Sequence, residues 1–474
     1  MLFNSISFIL FFPLVCIIYY ILPYNKLRTW FLLIASYYFY MNLNPYCALI
    51  LLGSTIITYV GGIVLGMSYC DSAQKRHCVV GFIVLFNVLL LGYFKYADFV
   101  VSSLVEVMNL CGFNIALKGF DILLPVGISF YIFKVISYIV DVNNRKIQAE
   151  RRFDLFALYV AFFPQLLAGP IERAENLIPQ FKKKIKFDGC NVTTGLKMML
   201  WGYFLKLVFA DRAVIYVDAV YGNLYSHNGT TILLAAVLYS FQIYCDFAGY
   251  SLLSIGVAKT MGYHVMQNFN RPYFAKSITD LWKRWHISLT RWLTDYVYIP
   301  LGGSRCSRMK TYRNIMVTFL VSGLWHGAAW NFVIWGGIHG IMQIVEKSLG
   351  LAKWNPKSYG VNAIRILMTF MIATFAWMFF RLSNFNDAIY GIGQIFISVG
   401  KPFMSRDATP ALEFCALGFI FIVLKDFLDE YFPDEFKLFD NKYIIVRYIS
   451  YIMILLLILA AGVFDDSQFI YMQF

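Results

Sequence analysis

The chain has 474 residues, of which 59% are hydrophobic and 19% aromatic, and 14% are charged, against about 25% charged in a soluble globular domain. Water is therefore not the solvent for most of its surface. The net charge of +13 suggests nucleic acid at first, but the basic residues lie in short loops between apolar runs, which is positive-inside topology. Apolar segments recur from the first residue to the last, so 1–474 reads as a single all-α polytopic membrane domain.

Spanning hydrocarbon takes about 20 apolar residues. Residues 1–25 carry no charge, and no basic residue precedes the apolar run as in a cleavable signal, so this run is expected to stay as the first membrane helix. Residues 29–70 are also uncharged and long enough for two helices, with Asn42-Leu43-Asn44-Pro45 as the turn. Lys26 and Arg28 before this hairpin and Lys75 and Arg76 after it then share one side, the cytoplasmic one. Further spans are expected at 77–94, 99–117, 122–140, 153–171, 192–210, 230–258, 314–345, 364–380, 411–424 and 444–464. The total is eleven to thirteen crossings, some re-entrant.

Two stretches read as cytoplasmic loops: 142–152 with Arg145, Lys146, Arg151 and Arg152, and 181–187 with Lys182, Lys183, Lys184 and Lys186. Residues 259–313 carry ten basic residues against Asp280 and Asp295, a net of +8. Trp282, Trp285, Trp292, Leu281, Leu289 and Leu293 recur there at roughly helical spacing, so amphipathic helices at the cytoplasmic interface are expected. Such a segment suits a polyanionic cytosolic ligand such as coenzyme A. The nine cysteines are scattered singly without a CxxC pair; they indicate neither a disulfide framework nor a zinc site and read as buried hydrophobes.

Of six histidines, His77, His227 and His264 lie in polar surroundings. His326, in Ser322-Gly-Leu-Trp-His-Gly327, lies inside the uncharged run 314–345, where an ionisable side chain is costly enough to mark function. A neutral imidazole there can accept a proton; a histidine hydrogen-bonded between helices is the structural alternative. His326 and His339 are 13 residues apart and do not share a helix face, so no metal pair is indicated. Asp246 is a second buried-charge candidate, either orienting a histidine or pairing with a cation to join two helices. Gly302-Gly303 and Gly336-Gly337 read as turns or close packing.

Several motifs follow in order: Leu124-Pro-Val-Gly-Ile-Ser-Phe-Tyr131, Phe162-Phe-Pro-Gln-Leu-Leu-Ala-Gly-Pro-Ile171, Gln242-Ile-Tyr-Cys-Asp-Phe-Ala-Gly-Tyr250, Arg284-Trp-His-Ile-Ser-Leu289, Asp295-Tyr-Val-Tyr-Ile-Pro-Leu-Gly-Gly303 and Trp325-His-Gly327. In this the sequence resembles the membrane-bound O-acyltransferases, in particular the branch that acetylates alginate and peptidoglycan. The resemblance implies a ring of tilted helices around a funnel that meets at a central histidine. It implies a catalytic core over 120–345 that includes the basic segment 259–313. His326 matches the family's invariant histidine and His286 its second polar position. The donor implied is acetyl-CoA, for which Arg284, Arg291 and Trp285 are the candidate contacts, with no metal. The last span with its tail, 444–474, ends Asp465-Asp-Ser-Gln-Phe-Ile-Tyr-Met-Gln-Phe474, similar to the family's terminal tyrosine motif; Tyr471 is the implied acyl carrier, an interfacial aromatic anchor the alternative.

The expected activity is acetyl transfer from cytosolic acetyl-CoA across a bacterial cytoplasmic membrane. Because this chain has no hydrolase-like domain, the resemblance implies a separate extracytoplasmic Ser-His-Asp (SGNH-type) transferase that O-acetylates a polysaccharide. Transfer of D-alanine to an envelope polymer is the alternative within the family, and a non-catalytic transporter the alternative outside it.

Overall fold

The computed structural model describes the whole chain except residues 68–71, 116–118, 121, 123, 355, 383, 434–435 and 465–474. Every regular element among the described residues is helical. The chain packs as two compact units, Met1–Gly195 with Val257–Met266, and Leu196–Gly256 with Gln267–Phe474. Among the described residues, five helices, Pro45–Leu65, Ala73–Leu110, Gly229–Thr260, Tyr359–Arg381 and Ile444–Ala461, are long and apolar enough to cross a membrane.

The run 411–424 lies within one helix, Ala408–Tyr431, whereas three other stretches divide differently from the crossings expected of them. The runs 77–94 and 99–117 form one continuous helix of 38 residues, Ala73–Leu110, with π-helical geometry over Gly92–Tyr96. The first run yields Ile6–Ile21, 16 residues with Pro13 inside, and 153–171 breaks into the helices Phe153–Ala161 and Phe163–Leu166. Run length counts apolar residues; it does not register where a proline or a close helix crossing ends the hydrogen-bond ladder.

In the first unit, helices Asn25–Met41 and Pro45–Leu65 form the expected hairpin. Pro45 starts the second helix and Asn44 Oδ1 accepts from Tyr46 N at 2.9 Å, a side-chain cap on an otherwise orphaned donor. The break at Phe162 follows from Pro164, which has no N–H to donate. Phe163 N instead bonds Ser36 Oγ at 3.1 Å, and the buried Lys134 ammonium donates to the Tyr159 carbonyl and to Gln165 Oε1. Gly127, with φ 76°, abuts this turn: a Cβ on it would stand 2.3 Å from the Leu166 carbonyl oxygen. Two of the sequence motifs thus meet backbone to backbone, where only glycine fits.

In the second unit, which takes up helix Gly189–Tyr203 from Leu196 onward, that helix continues into a π-helical stretch, Phe204–Ala210, and then Asp211–Tyr221. The stretch lies against helix Gly229–Thr260, where a Cβ on either Gly202 or Gly249 would come 2.8 Å from the other's carbonyl oxygen. That approach lets Lys206 Nζ reach Asp211 at 2.8 Å and Asp246 at 2.7 Å, with all three side chains buried. Asp246 therefore joins two helices through a cation, the second of its two expected roles.

The segment 259–313 turns its apolar stripe into protein, while Arg291, Ile299, Leu301 and Met309 stay exposed. It folds into short helices Ile278–Arg284 and Ile287–Leu293, and Leu281, Trp282, Trp285, Leu289, Trp292 and Leu293 are all buried in protein. The buried Glu346 carboxylate anchors its first turn, accepting from Ile278 N at 2.5 Å and Thr279 N at 2.9 Å, a favourable place for negative charge. Among the described cysteines, Cys47, Cys245 and Cys415 are buried as expected, whereas Cys78, Cys111 and Cys190 are exposed.

Candidate active site in a helical hairpin

The run 314–345 is a hairpin in the second unit. Helix Arg308–His326 turns at 327–329 into helix Trp330–Ser348, and its open end is tied by Arg308 Nη2 donating to the Ser348 carbonyl at 3.1 Å. Glycines set the separation of the arms. A Cβ on Gly323 would stand 2.2 Å from the Phe332 carbonyl oxygen, and one on Gly336 2.3 Å from that of Phe319. Each arm has 19 residues, so the tip is about 28 Å along the axis from the open end.

His326 ends the first arm, at that tip. It is buried between Trp325 and Trp335, both 4.9 Å away between ring centres, and Phe380 at 5.4 Å. His286 comes from the junction of the two short helices, in a left-handed conformation with φ 40° and ψ 55° that is costly outside glycine. The kink is held from both sides: Asn270 N donates to the Arg284 carbonyl and Ile287 N to the Asn268 carbonyl, each at 2.9 Å. It turns the His286 ring inward, edge to face with Phe247 at 4.6 Å and 6.3 Å from His326 between ring centres. Burial pushes the His286 imidazole down to about 3, so it is neutral at physiological pH and offers one N–H and one lone pair.

A cavity of about 670 Å³ follows the first arm. Ile315, Thr318, Phe319 and Ser322 form one wall, Trp282, Lys283, Leu293 and Tyr298 face them, and Lys347, Gly350 and Ala352 stand at the open end of the hairpin. Ser322 is one turn from His326 on the same helix face. Its buried hydroxyl has no hydrogen-bond partner among the described residues, which leaves it available to a bound group. Trp282 Nε1 donates to His339 Nδ1 at 3.3 Å. The Trp282 indole is thereby fixed in the cavity wall.

The candidate donor contacts distribute unevenly. Arg284 grips Glu430 with both terminal nitrogens, at 2.9 and 3.0 Å, and Asp280 with Nε at 3.1 Å; these bonds hold its guanidinium within the fold. Trp285 is fully buried, packed 4.9 Å from Trp377 and 5.1 Å from Phe269 between ring centres, and Arg291 is exposed. None of the three lines the cavity; Lys283 and Lys347 do. Lys283 neighbours the Arg284 candidate in sequence but is not itself among the expected contacts, and nothing local marks Lys347 or Ser322. Tyr471 lies outside the described residues. The chain leading to it is held where Val463 N donates to the Leu207 carbonyl at 3.0 Å and Arg212 Nε to the Ala461 carbonyl at 2.8 Å.

Residues 152–386 match the family model described as membrane-bound O-acyltransferase, and this span holds both His286 and His326. The chain is 39% identical over 404 residues to a Pseudomonas syringae pv. tomato protein named "probable alginate O-acetylase AlgI", covering 84% of this chain and 75% of the relative. It is 34% identical over 392 residues to the peptidoglycan O-acetyltransferase of Helicobacter pylori, covering 76% and 72%. To the teichoic acid D-alanyltransferase of Bacillus subtilis it is 28% identical over 279 residues, covering 55% and 69%. Such identity across three quarters of a relative's length, with the paired histidines inside the matched span, places this multi-pass chain in the membrane-bound O-acyltransferase family, as an O-acyltransferase.

Proposed function

We propose that the chain takes acetyl from cytosolic acetyl-CoA and passes it across the cytoplasmic membrane for O-acetylation of an envelope or secreted polysaccharide. The observation that supports this most directly is the cavity that starts at Lys347 and closes at Ser322, one turn short of His326. Basic residues at the base of the first arm, Arg305, Arg308, Lys310 and Arg313, put the open end of the hairpin on the cytoplasmic side. A polyanionic donor then enters past Lys283 and Lys347 and brings its thioester toward His326.

In this reading neutral His326 takes the proton of the attacking hydroxyl as its oxygen bonds to the thioester carbonyl carbon. An N–H from His286 stabilises the oxyanion that forms. Collapse breaks the carbon–sulfur bond, and the proton on His326 leaves with the CoA thiol, whose ordinary pKa near 8.5 makes it a good leaving group. The attacking hydroxyl is that of Tyr471, and the phenol ester passes its acetyl to a serine of a separate extracytoplasmic SGNH-type transferase. The greater likeness to the two O-acetyl transfer relatives than to the D-alanyltransferase supports acetyl over D-alanyl.

The test is to incubate the purified full chain with radiolabelled acetyl-CoA, or with D-alanine charged on a carrier protein, and to follow label on the protein. Acetyl labelling that His326→Ala abolishes supports the proposal; labelling from the D-alanyl carrier alone replaces it.

A further inference from the structure

The first unit holds two cavities that meet on one helix face. The larger, about 1000 Å³, lies at the end of helix Pro45–Leu65 and is bounded by Arg76, Arg145 and Arg151. The smaller, about 510 Å³, runs between Pro45–Leu65 and Ala73–Leu91 and is walled by apolar side chains such as Ile56 and Phe82. Val60 and Val64 line both. Sharing that wall, the two cavities follow one helix face as a groove, with its arginines at one end and an apolar lining along the smaller cavity.

The arginines of the basic end differ in what they touch. Arg76 is occupied, donating to the carbonyls of Leu65, Val142 and Asn143 at 2.9 to 3.1 Å, and so fixes the chamber's frame. The nearby carboxylates have other partners: Asp141 with Lys146 at 3.4 Å, Glu150 with Lys182 at 2.6 Å and Asp154 with Arg152 at 2.6 Å. Arg145 and Arg151 are exposed and pair with no carboxylate among the described residues. Arg145 is also left-handed, with φ 57°. Its N–H bonds the Val142 carbonyl at 3.1 Å, and Lys146 N bonds the Asp141 carbonyl at 3.0 Å, the helix-ending pattern in which glycine is the low-cost residue. A strained arginine where glycine would close the helix as well points to a use for the guanidinium.

We propose that this groove binds an anionic glycerophospholipid, with its phosphate between Arg145 and Arg151 and an acyl chain along Val60, Val64 and Phe82. The amphipathic division of the groove matches such a molecule end to end. Positive-inside topology places the 142–152 loop at the cytoplasmic leaflet, where anionic headgroups gather and hold juxtamembrane cations.

The experiment compares phosphatidylglycerol with phosphatidylcholine on the purified full-length chain, reading retained lipid by native mass spectrometry. Wild type should retain phosphatidylglycerol preferentially. The double variant Arg145→Gly, Arg151→Gln keeps the left-handed helix end and removes both charges. Its preference should fall about thirtyfold, from ~1 kcal/mol per arginine near an anionic surface. Val60→Trp, which narrows the groove and leaves both arginines, should also reduce retention, and glycerol 3-phosphate at equal concentration should not displace the lipid. Equal retention of the two lipids, or an unchanged preference in the double variant, overturns the proposal. Displacement by glycerol 3-phosphate alone also overturns it and assigns the chamber to a soluble phosphate ester.

Discussion

The rings of His286 and His326 lie 6.3 Å apart between centres, although one sits in a left-handed kink between short helices and the other at the tip of a hairpin. In the proposed reaction a thioester carbonyl bound beside both imidazoles would meet a base on one and an oxyanion donor on the other. His326→Ala should leave the chain folded and inserted while acetyl transfer disappears. His286→Ala should lower turnover by about 100-fold, the loss expected of one transition-state donor. Initial rates with labelled acetyl-CoA, beside thermal unfolding of each variant, check both; a His286→Ala variant that loses only protein yield makes that residue structural.

Donor binding and scaffold roles should separate between neighbours in sequence. Lys283→Gln combined with Lys347→Gln should raise KM for acetyl-CoA with turnover little changed, the pattern of lost ground-state binding. Arg284→Gln removes the fork on Glu430 and should instead lower stability by about 2 kcal/mol. A raised KM with unaltered unfolding in Arg284→Gln would return the phosphate contact to that residue.

Much of this was legible in the sequence where the cause is local. The hairpin at Asn44-Pro45 follows from turn chemistry, and His326 stands out because an imidazole in a 32-residue uncharged run needs a reason. Asp246 raised the same question, but its answer, Lys206, lies 40 residues upstream and points inward only because Gly202 and Gly249 let two helices touch. Arg284 read as a free cation because Glu430 is 146 residues away. The hairpin within 314–345 was hidden because Gly323, Gly327 and Gly336 belong equally to a straight packed helix; their meaning appears only once the second arm is in place.

The hairpin itself is testable by a matched pair of glycines. Gly323→Ala puts a methyl group 2.2 Å from the Phe332 carbonyl oxygen, whereas at Gly337 the nearest atom is Leu320 Cδ2 at 3.9 Å. Gly323→Ala must push the arms apart, and should cost about 1–3 kcal/mol of overpacking and remove most activity by shifting His326. Gly337→Ala should be near neutral or slightly stabilising, since alanine favours helix. Equal effects in unfolding and rate would mean that the arms are not held at glycine distance.

The Lys206 cluster gives a stability prediction independent of catalysis. Lys206→Met leaves Asp211 and Asp246 buried close to one another without their shared cation, and removing one partner of a buried ion pair typically costs about 3–5 kcal/mol. The single variant should therefore unfold at much lower temperature in detergent. Adding Asp246→Asn and Asp211→Asn should recover part of that loss, because no buried charge is then left unpaired. Wild-type stability in Lys206→Met would show that solvent reaches the cluster.

Tyr471 separates the relay from an anchor. Phenylalanine keeps the ring and nearly the same volume and removes only the hydroxyl that an acyl carrier needs. If the tail is an interfacial anchor, Tyr471→Phe should be almost silent, costing at most about 0.5 to 1.5 kcal/mol for one hydrogen bond. If Tyr471 carries acetyl, polysaccharide acetylation should vanish while the variant stays folded and still binds acetyl-CoA, because His326, Ser322 and the lysines of the cavity are untouched. The ester itself is detectable: a phenol ionises near pKa 10 and its acetyl ester keeps enough transfer potential to pass acetyl onward. Chymotryptic digestion of wild type after incubation with labelled acetyl-CoA should release a C-terminal peptide heavier by one acetyl group, absent from both Tyr471→Phe and His326→Ala. Full activity in Tyr471→Phe with no labelled peptide would remove the relay and leave direct transfer from acetyl-CoA to the partner's hydroxyl, with His326 still the base.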